Sequence, residues 1–99
     1  MAKYNFTNKA VTDLSEIWKY TVEAWSESQA DEYYFMILGT CQELADGKVR
    51  GKNYTEIDSE ILGFRTGQHI VFYRKISVEV IEITRILHVQ MDLKNRIQE

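Results

Sequence analysis

Residues 61–87 read ILGFRTGQHIVFYRKISVEVIEITRIL, and the architecture of the whole chain turns on them. Three runs, 61–66, 69–75 and 78–87, are rich in β-branched and aromatic residues, the mark of strands. Only GQ and IS separate them. Connections this short join neighbouring strands antiparallel, so the three runs predict a meander. The middle run contains IVFY, apolar on both phases, and is therefore the covered central strand.

The residues before the meander supply the layer that covers it. KYNF at 3–6 is a short strand candidate, and Thr7 or Asn8 offers an N-cap oxygen after it. Val11, Leu14, Trp18, Val22 and Trp25 then recur at helical spacing, with Ala10, Ile17 and Thr21 widening the stripe. This predicts a helix over 8–24, with Asp13, Glu16, Lys19 and Glu23 on its outer side. SESQ at 26–29 is a capping box that opens a second helix. Its stripe is Ala30, Tyr33, Tyr34, Ile37, Leu38, Cys41, Leu44 and Ala45, and Gly47 is its left-handed stop. The expected order is β-α-α-β-β-β: an α+β, two-layer domain over 1–99, a helical hairpin packed on an antiparallel sheet. The first strand joins an edge of that sheet or stays unpaired. Residues 46–60 read as a polar loop, and the tail MDLKNRIQE as a helical turn or a frayed end.

Composition narrows the function classes. The chain has 99 residues, enough for one core. Its single cysteine, Cys41, falls on an apolar helical stripe; no disulfide or multi-cysteine zinc site is expected, and no other metal or cofactor. No signal peptide or membrane span is legible, and a cytoplasmic location is expected. The net charge of −3 divides unevenly: residues 1–60 carry 6 basic against 11 acidic side chains, and residues 61–99 carry 6 against 4. Six basic residues over that length form no dense patch, so strong direct nucleic-acid binding is not expected. Phosphate-loop, serine-hydrolase and zinc-protease motifs are absent from the sequence.

The chemistry-bearing residues gather in the meander. Arg65, Arg74 and Arg85 fall one per strand, near strand ends. They either converge as an anion site or serve as edge charges paired with Glu79, Glu82 or Asp92. Strict alternation puts Arg85 on one face with Ile81, Ile83 and Leu87, which requires a partner or an exit to water. His88 follows, and Asp92 is four residues on. The two read either as an oriented acid–base pair or as caps of the strand end and the tail. His69 begins the preceding strand. Among the aromatics, Trp18, Trp25, Tyr33, Tyr34 and Phe35 have helical spacing and suit a core or protein interface better than a ligand box. Tyr20 and Phe35 fall off the main stripes and are expected to be exposed to a partner.

Three stretches resemble the ParE toxins of the RelE/ParE superfamily of type II toxin–antitoxin modules. They are FTNKAVTDLSEIWKYTVEAWSESQADEYY, LGFRTGQHIVFYRK and VEVIEITRILHVQMD, and the resemblance spans residues 4–93. It implies a toxin neutralised by a cognate antitoxin in a hetero-oligomer and acting by poisoning DNA gyrase, without catalytic residues of its own. The alternatives are a RelE-like mRNA endoribonuclease and a non-toxic member that retains antitoxin binding. On this reading Arg65, Arg74, Arg85, His88, Met91 and Asp92 are candidates for target binding. Trp18, Tyr20, Trp25, Tyr34 and Phe35 are candidates for antitoxin binding. Lys48, Arg50 and Lys52 lie in the 46–60 loop, where RelE-type enzymes also carry basic residues. That loop has no proline, unlike many ParE loops.

Overall fold

The structure, a computed structural model, describes residues 2–55, 57–91 and 97. The expectations for Asp92 and for most of the tail fall outside them. Strand β1 is Lys3–Phe6, helix α1 Asn8–Ala24 and helix α2 Glu27–Asp46. Strands β2 Lys52–Asn53, β3 Leu62–Thr66, β4 His69–Lys75 and β5 Val80–His88 follow. The helix ends sit where local chemistry puts them. Thr7 Oγ1 accepts from Ala10 N–H at 3.1 Å, and Ser26 Oγ accepts from Gln29 N–H at 3.1 Å. Gly47 closes α2 at φ 77°, a conformation that favours glycine.

The sheet has five strands in the order β1-β5-β4-β3-β2. The meander is antiparallel with β4 at its centre. Two features extend the sequence reading. β1 joins the β5 edge in parallel, because the helical hairpin is a crossover long enough to permit it. The loop at 46–60 contributes β2, a two-residue strand against β3. The β4–β5 link is also longer than the two residues expected: β5 starts at Val80, and Ile76 and Ser77 both donate backbone hydrogen bonds to Val80 O.

The helices cover one face of the sheet. Ala10, Leu14, Ile37, Cys41 and Leu44 pack there on Val71, Tyr73, Ile81, Ile83 and Ile86. Val11 and Trp25, placed on the main stripe of α1 by spacing, are exposed. Two apolar stripes share Leu14, and the one of smaller residues, Ala10 and Ile17, packs towards the sheet. The opposite face holds a second cluster, Ile61, Ile70, Phe72 and Leu87, with Tyr54, Val89 and Ile97 against it.

A bulge in β5 lets one strand serve both clusters. Tyr73 pairs with Ile83 and Phe72 with Arg85, which leaves Thr84 as the extra residue. Alternation changes phase there. Ile83 and Ile86 both pack in the helix-side cluster, while Leu87 packs on the other face. Strict alternation had grouped Arg85 with Ile81, Ile83 and Leu87; the bulge breaks that grouping.

Beyond the bulge, β1 no longer accompanies β5. Its register ends at Phe6↔Ile83, and Thr7 donates its N–H to Ile83 O and its hydroxyl to Thr84 O. Asp13 of α1 takes over the edge. Its Oδ2 accepts from Ile86 N–H at 3.0 Å and from Arg85 Nε at 2.7 Å, and its Oδ1 accepts from Arg85 Nη2 at 3.0 Å. Asp13 therefore does not belong to the outer side of α1, where spacing put it. The two side chains are only 11% and 13% exposed, so this two-pronged pair is nearly dry. Removing one partner strands the other charge, and here also a backbone N–H. Asp13→Ala is expected to destabilise the fold by about 3 kcal/mol, read as a lower urea midpoint at unchanged slope.

Candidate functional site

The three meander arginines do not converge. Arg65 lies opposite Ile70 near one end of β4, and Arg74 lies opposite Glu82 near the other. Arg65 is exposed and donates from Nε to Gly67 O at 3.0 Å. Arg74 donates from Nη2 to Glu82 Oε1 at 3.0 Å, the paired edge charge that sequence offered as one reading. Arg85 is committed to Asp13. The shared anion pocket therefore does not form among them, because the strand register separates the first two and α1 claims the third.

The aromatic candidates divide among three places. Trp18, Tyr34 and Phe35, with Val11 and Leu14, line a groove of about 440 Å³ on the outer side of the helical hairpin. Its polar point is fixed: Trp18 Nε1–H donates to Asp31 Oδ1 at 3.0 Å. Phe35 is 66% exposed and meets Tyr34 edge-on, ring centres 5.5 Å apart. A groove with exposed rings and a ready acceptor fits the apolar side of a protein segment. Trp25 lies at the corner between the helices, where its N–H caps α1 on Thr21 O. Tyr20 belongs elsewhere, at the tip of β5.

That tip forms a second groove, of about 420 Å³, between α1 and the ends of β4 and β5. Glu16, Tyr20, His69, His88 and Met91 line it, with Asp13 and Arg85 in its wall. Sequence left open whether His69 lies near His88. The β4–β5 register pairs them directly, with ring centres 5.3 Å apart and planes at 83°. Tyr33 of α2 completes the arrangement, and nothing in its spacing marked it for this role. Its Oη accepts from Gln68 N–H at 2.9 Å and shares a 2.6 Å hydrogen bond with His69 Nδ1, whose direction is set by the imidazole tautomer. Gln90 N–H donates to His88 Nδ1 at 3.1 Å. His88 thus uses Nδ1 as an acceptor. Burial and then the neighbouring His88 push the pKa of His69 down to about 4, with Asp13 acting the other way. Burial raises the pKa of Tyr33, which keeps it a phenol. Among the described residues no cluster of His, Cys, Asp and Glu could hold a metal ion, and no helix is long and apolar enough to cross a membrane.

A histidine held neutral in the fold and free to protonate when unfolded makes stability depend on pH. The contribution is complete above about 6.5 and is lost as pH falls towards about 4. Thermal melts across that window are expected to show falling stability in the parent chain and a shallower decline in His69→Gln.

Comparison with known proteins places this geometry in a family. The family model described as the ParE toxin of the type II toxin–antitoxin system parDE matches residues 4–93. Toxin ParE1 of Caulobacter vibrioides is 31% identical over 94 residues, covering 95% of this chain and 96% of that protein. Toxin ParE of Escherichia coli is 29% identical over 99 residues, covering 100% of this chain and 96% of its own. A solved structure, the chromosomal ParDE toxin–antitoxin system from P. aeruginosa, superposes with a TM-score of 0.74 at 20% identity. It covers 91% of this chain and 98% of its own and shares the fold. The helical hairpin, the mixed sheet and the β5 tip all lie within the matched span, and the chain belongs to the ParE toxins of type II toxin–antitoxin systems.

Proposed function

We propose that this chain arrests growth by binding and poisoning DNA gyrase in the cytoplasm, that a cognate antitoxin prevents this by binding it in a hetero-oligomer, and that the module stabilises the plasmid carrying it. The observation that carries the reading is the family match over residues 4–93, which takes in both grooves. The β5 tip is assigned to the target, through His88, Met91 and Tyr20. The outer hairpin groove is assigned to the antitoxin, whose docking segment folds as it lays apolar side chains against Trp18, Tyr34 and Phe35. A binding role suits the tip. Arg85, the cation in its wall, is engaged by Asp13, whereas a ribonuclease needs cations and an acid or base converging on one phosphate there.

Expression without antitoxin tests the reading. Linearised DNA and filamentous cells with intact mRNA are the expected result. Prompt mRNA cleavage with intact DNA would replace it with the ribonuclease reading, and undisturbed growth with a non-toxic, antitoxin-binding role. His88→Ala and Met91→Ala are expected to weaken gyrase binding roughly tenfold each, with stability changed by no more than about 0.5 kcal/mol. Trp18→Ala and Phe35→Ala are each expected to cost about 2 kcal/mol in antitoxin affinity by calorimetry and to leave toxicity in place.

A further inference from the structure

The outer hairpin groove holds one charged side chain in an otherwise largely apolar setting. Asp31 of α2 lies one turn before Tyr34 and Phe35, so the three form a single ridge along that helix. Val11, Leu14 and Trp18 of α1 face them. Among the described residues that line the groove, Asp31 is the only charged one. Its Oδ1 accepts from Trp18 Nε1–H at 3.0 Å, which ties the indole to the carboxylate. A carboxylate offers about four lone-pair sites, and this bond uses one of them. Among the described residues no other donor reaches the side chain. The hairpin around it is acidic. Residues 8–46 carry 2 basic side chains against 8 acidic, whereas the rest of the chain carries 10 against 7.

We propose that Asp31 selects the antitoxin by a basic side chain, an arginine above all, set among the apolar residues of its docking segment. The inference rests on the assignment of this groove to the antitoxin. A segment lying on Trp18, Tyr34 and Phe35 takes water away from Asp31 as it covers the rings. A carboxylate that loses water without gaining a cation opposes binding. A guanidinium keeps the charge paired, and its fork reaches both oxygens while one of them still holds Trp18. The field of the acidic hairpin favours the same choice, drawing a basic segment in and repelling an acidic one. Asp31 and Phe35 stand four positions apart on one helix, about 6 Å between Cβ atoms, so on a helical segment the cation and its apolar anchor are three or four positions apart. Aromatic walls alone accept any apolar segment. Asp31 penalises one whose matching residue is apolar or acidic, which separates the cognate antitoxin from others.

Double-mutant cycles with the antitoxin encoded beside this chain test it, read by calorimetry at low and high salt. Asp31→Asn keeps an oxygen for Trp18 Nε1–H and removes the charge. It is expected to weaken antitoxin binding roughly tenfold at low salt and less at high salt. Alanine replacement of each Arg and Lys in the antitoxin's docking half is expected to find one cation whose removal costs little more once Asp31 is Asn. Asp31→Arg combined with an aspartate in place of that cation is expected to regain part of the affinity that either reversal alone removes. Glu32→Gln, an equal charge change on an exposed α2 residue outside the groove lining, is expected to change affinity by no more than about twofold. Melting curves confirm that each variant folds. Full affinity in Asp31→Asn beside weak binding in Phe35→Ala overturns the proposal and leaves the groove with the antitoxin. Full affinity in both overturns that assignment as well. An equal loss in Glu32→Gln, or no cation coupled to Asp31, overturns the proposal. A chain that is dimeric alone and monomeric on Phe35→Ala gives the groove to a second copy instead.

Discussion

A carboxylate standing in for a strand holds the two layers in place. β1 is four residues long and accompanies β5 only as far as Ile83, whereas β5 runs on to His88. The continuing edge needs an acceptor for Ile86 N–H, and Arg85 needs a counter-charge in a nearly dry setting. Asp13 supplies both from α1. Desolvation makes the pair costly to break and fixes its geometry. Because α1 forms a wall of both the hairpin groove and the β5-tip groove, this one contact sets the position of each.

The bulge at Thr84 is the second constraint. Without the extra residue, β5 would keep one phase along its length and could not place Ile83 and Ile86 under the helices and Leu87 on the far side. The phase change also occurs where the chain passes from β1's company to Asp13's. Thr84 is held from both sides there: its hydroxyl donates to Phe72 O, and its carbonyl accepts from Thr7. Thr7 in turn caps α1, so the start of the helix and the bend of the strand are joined through one hydroxyl. The paired histidines follow from the same register, since β4 and β5 end together at His69 and His88.

Both faces of the sheet are engaged. The helix side holds the larger core, and the far side a smaller one roofed by Tyr54. Glycines make that roof possible. Gly63 lets the Tyr54 ring lie on the sheet, and Gly51 lets the loop reach Tyr73 Oη. A loop that is polar in sequence thereby becomes part of a packed layer, with its charged side chains left on the rim.

The sequence by itself determined the elements whose signals are local. Thr7, Ser26 and Gly47 mark helix ends through bonds within one turn, and the meander strands follow from β-branched runs and a two-residue turn at Gly67–Gln68. It also marked His88 and the exposed Tyr20 and Phe35 as residues worth attention. Only the tertiary structure decided the direction of β1, the presence of β2, the inward turn of Asp13, the fate of each arginine and the meeting of Tyr33 with His69. Several of these depend on distant partners: Tyr33 meets His69 36 positions on, and Asp13 meets Ile86 73 positions on. Helical periodicity assigns a residue to a face but carries no information about which distant donor lies opposite. A single-residue bulge reverses a strand's phase without leaving a mark in its composition.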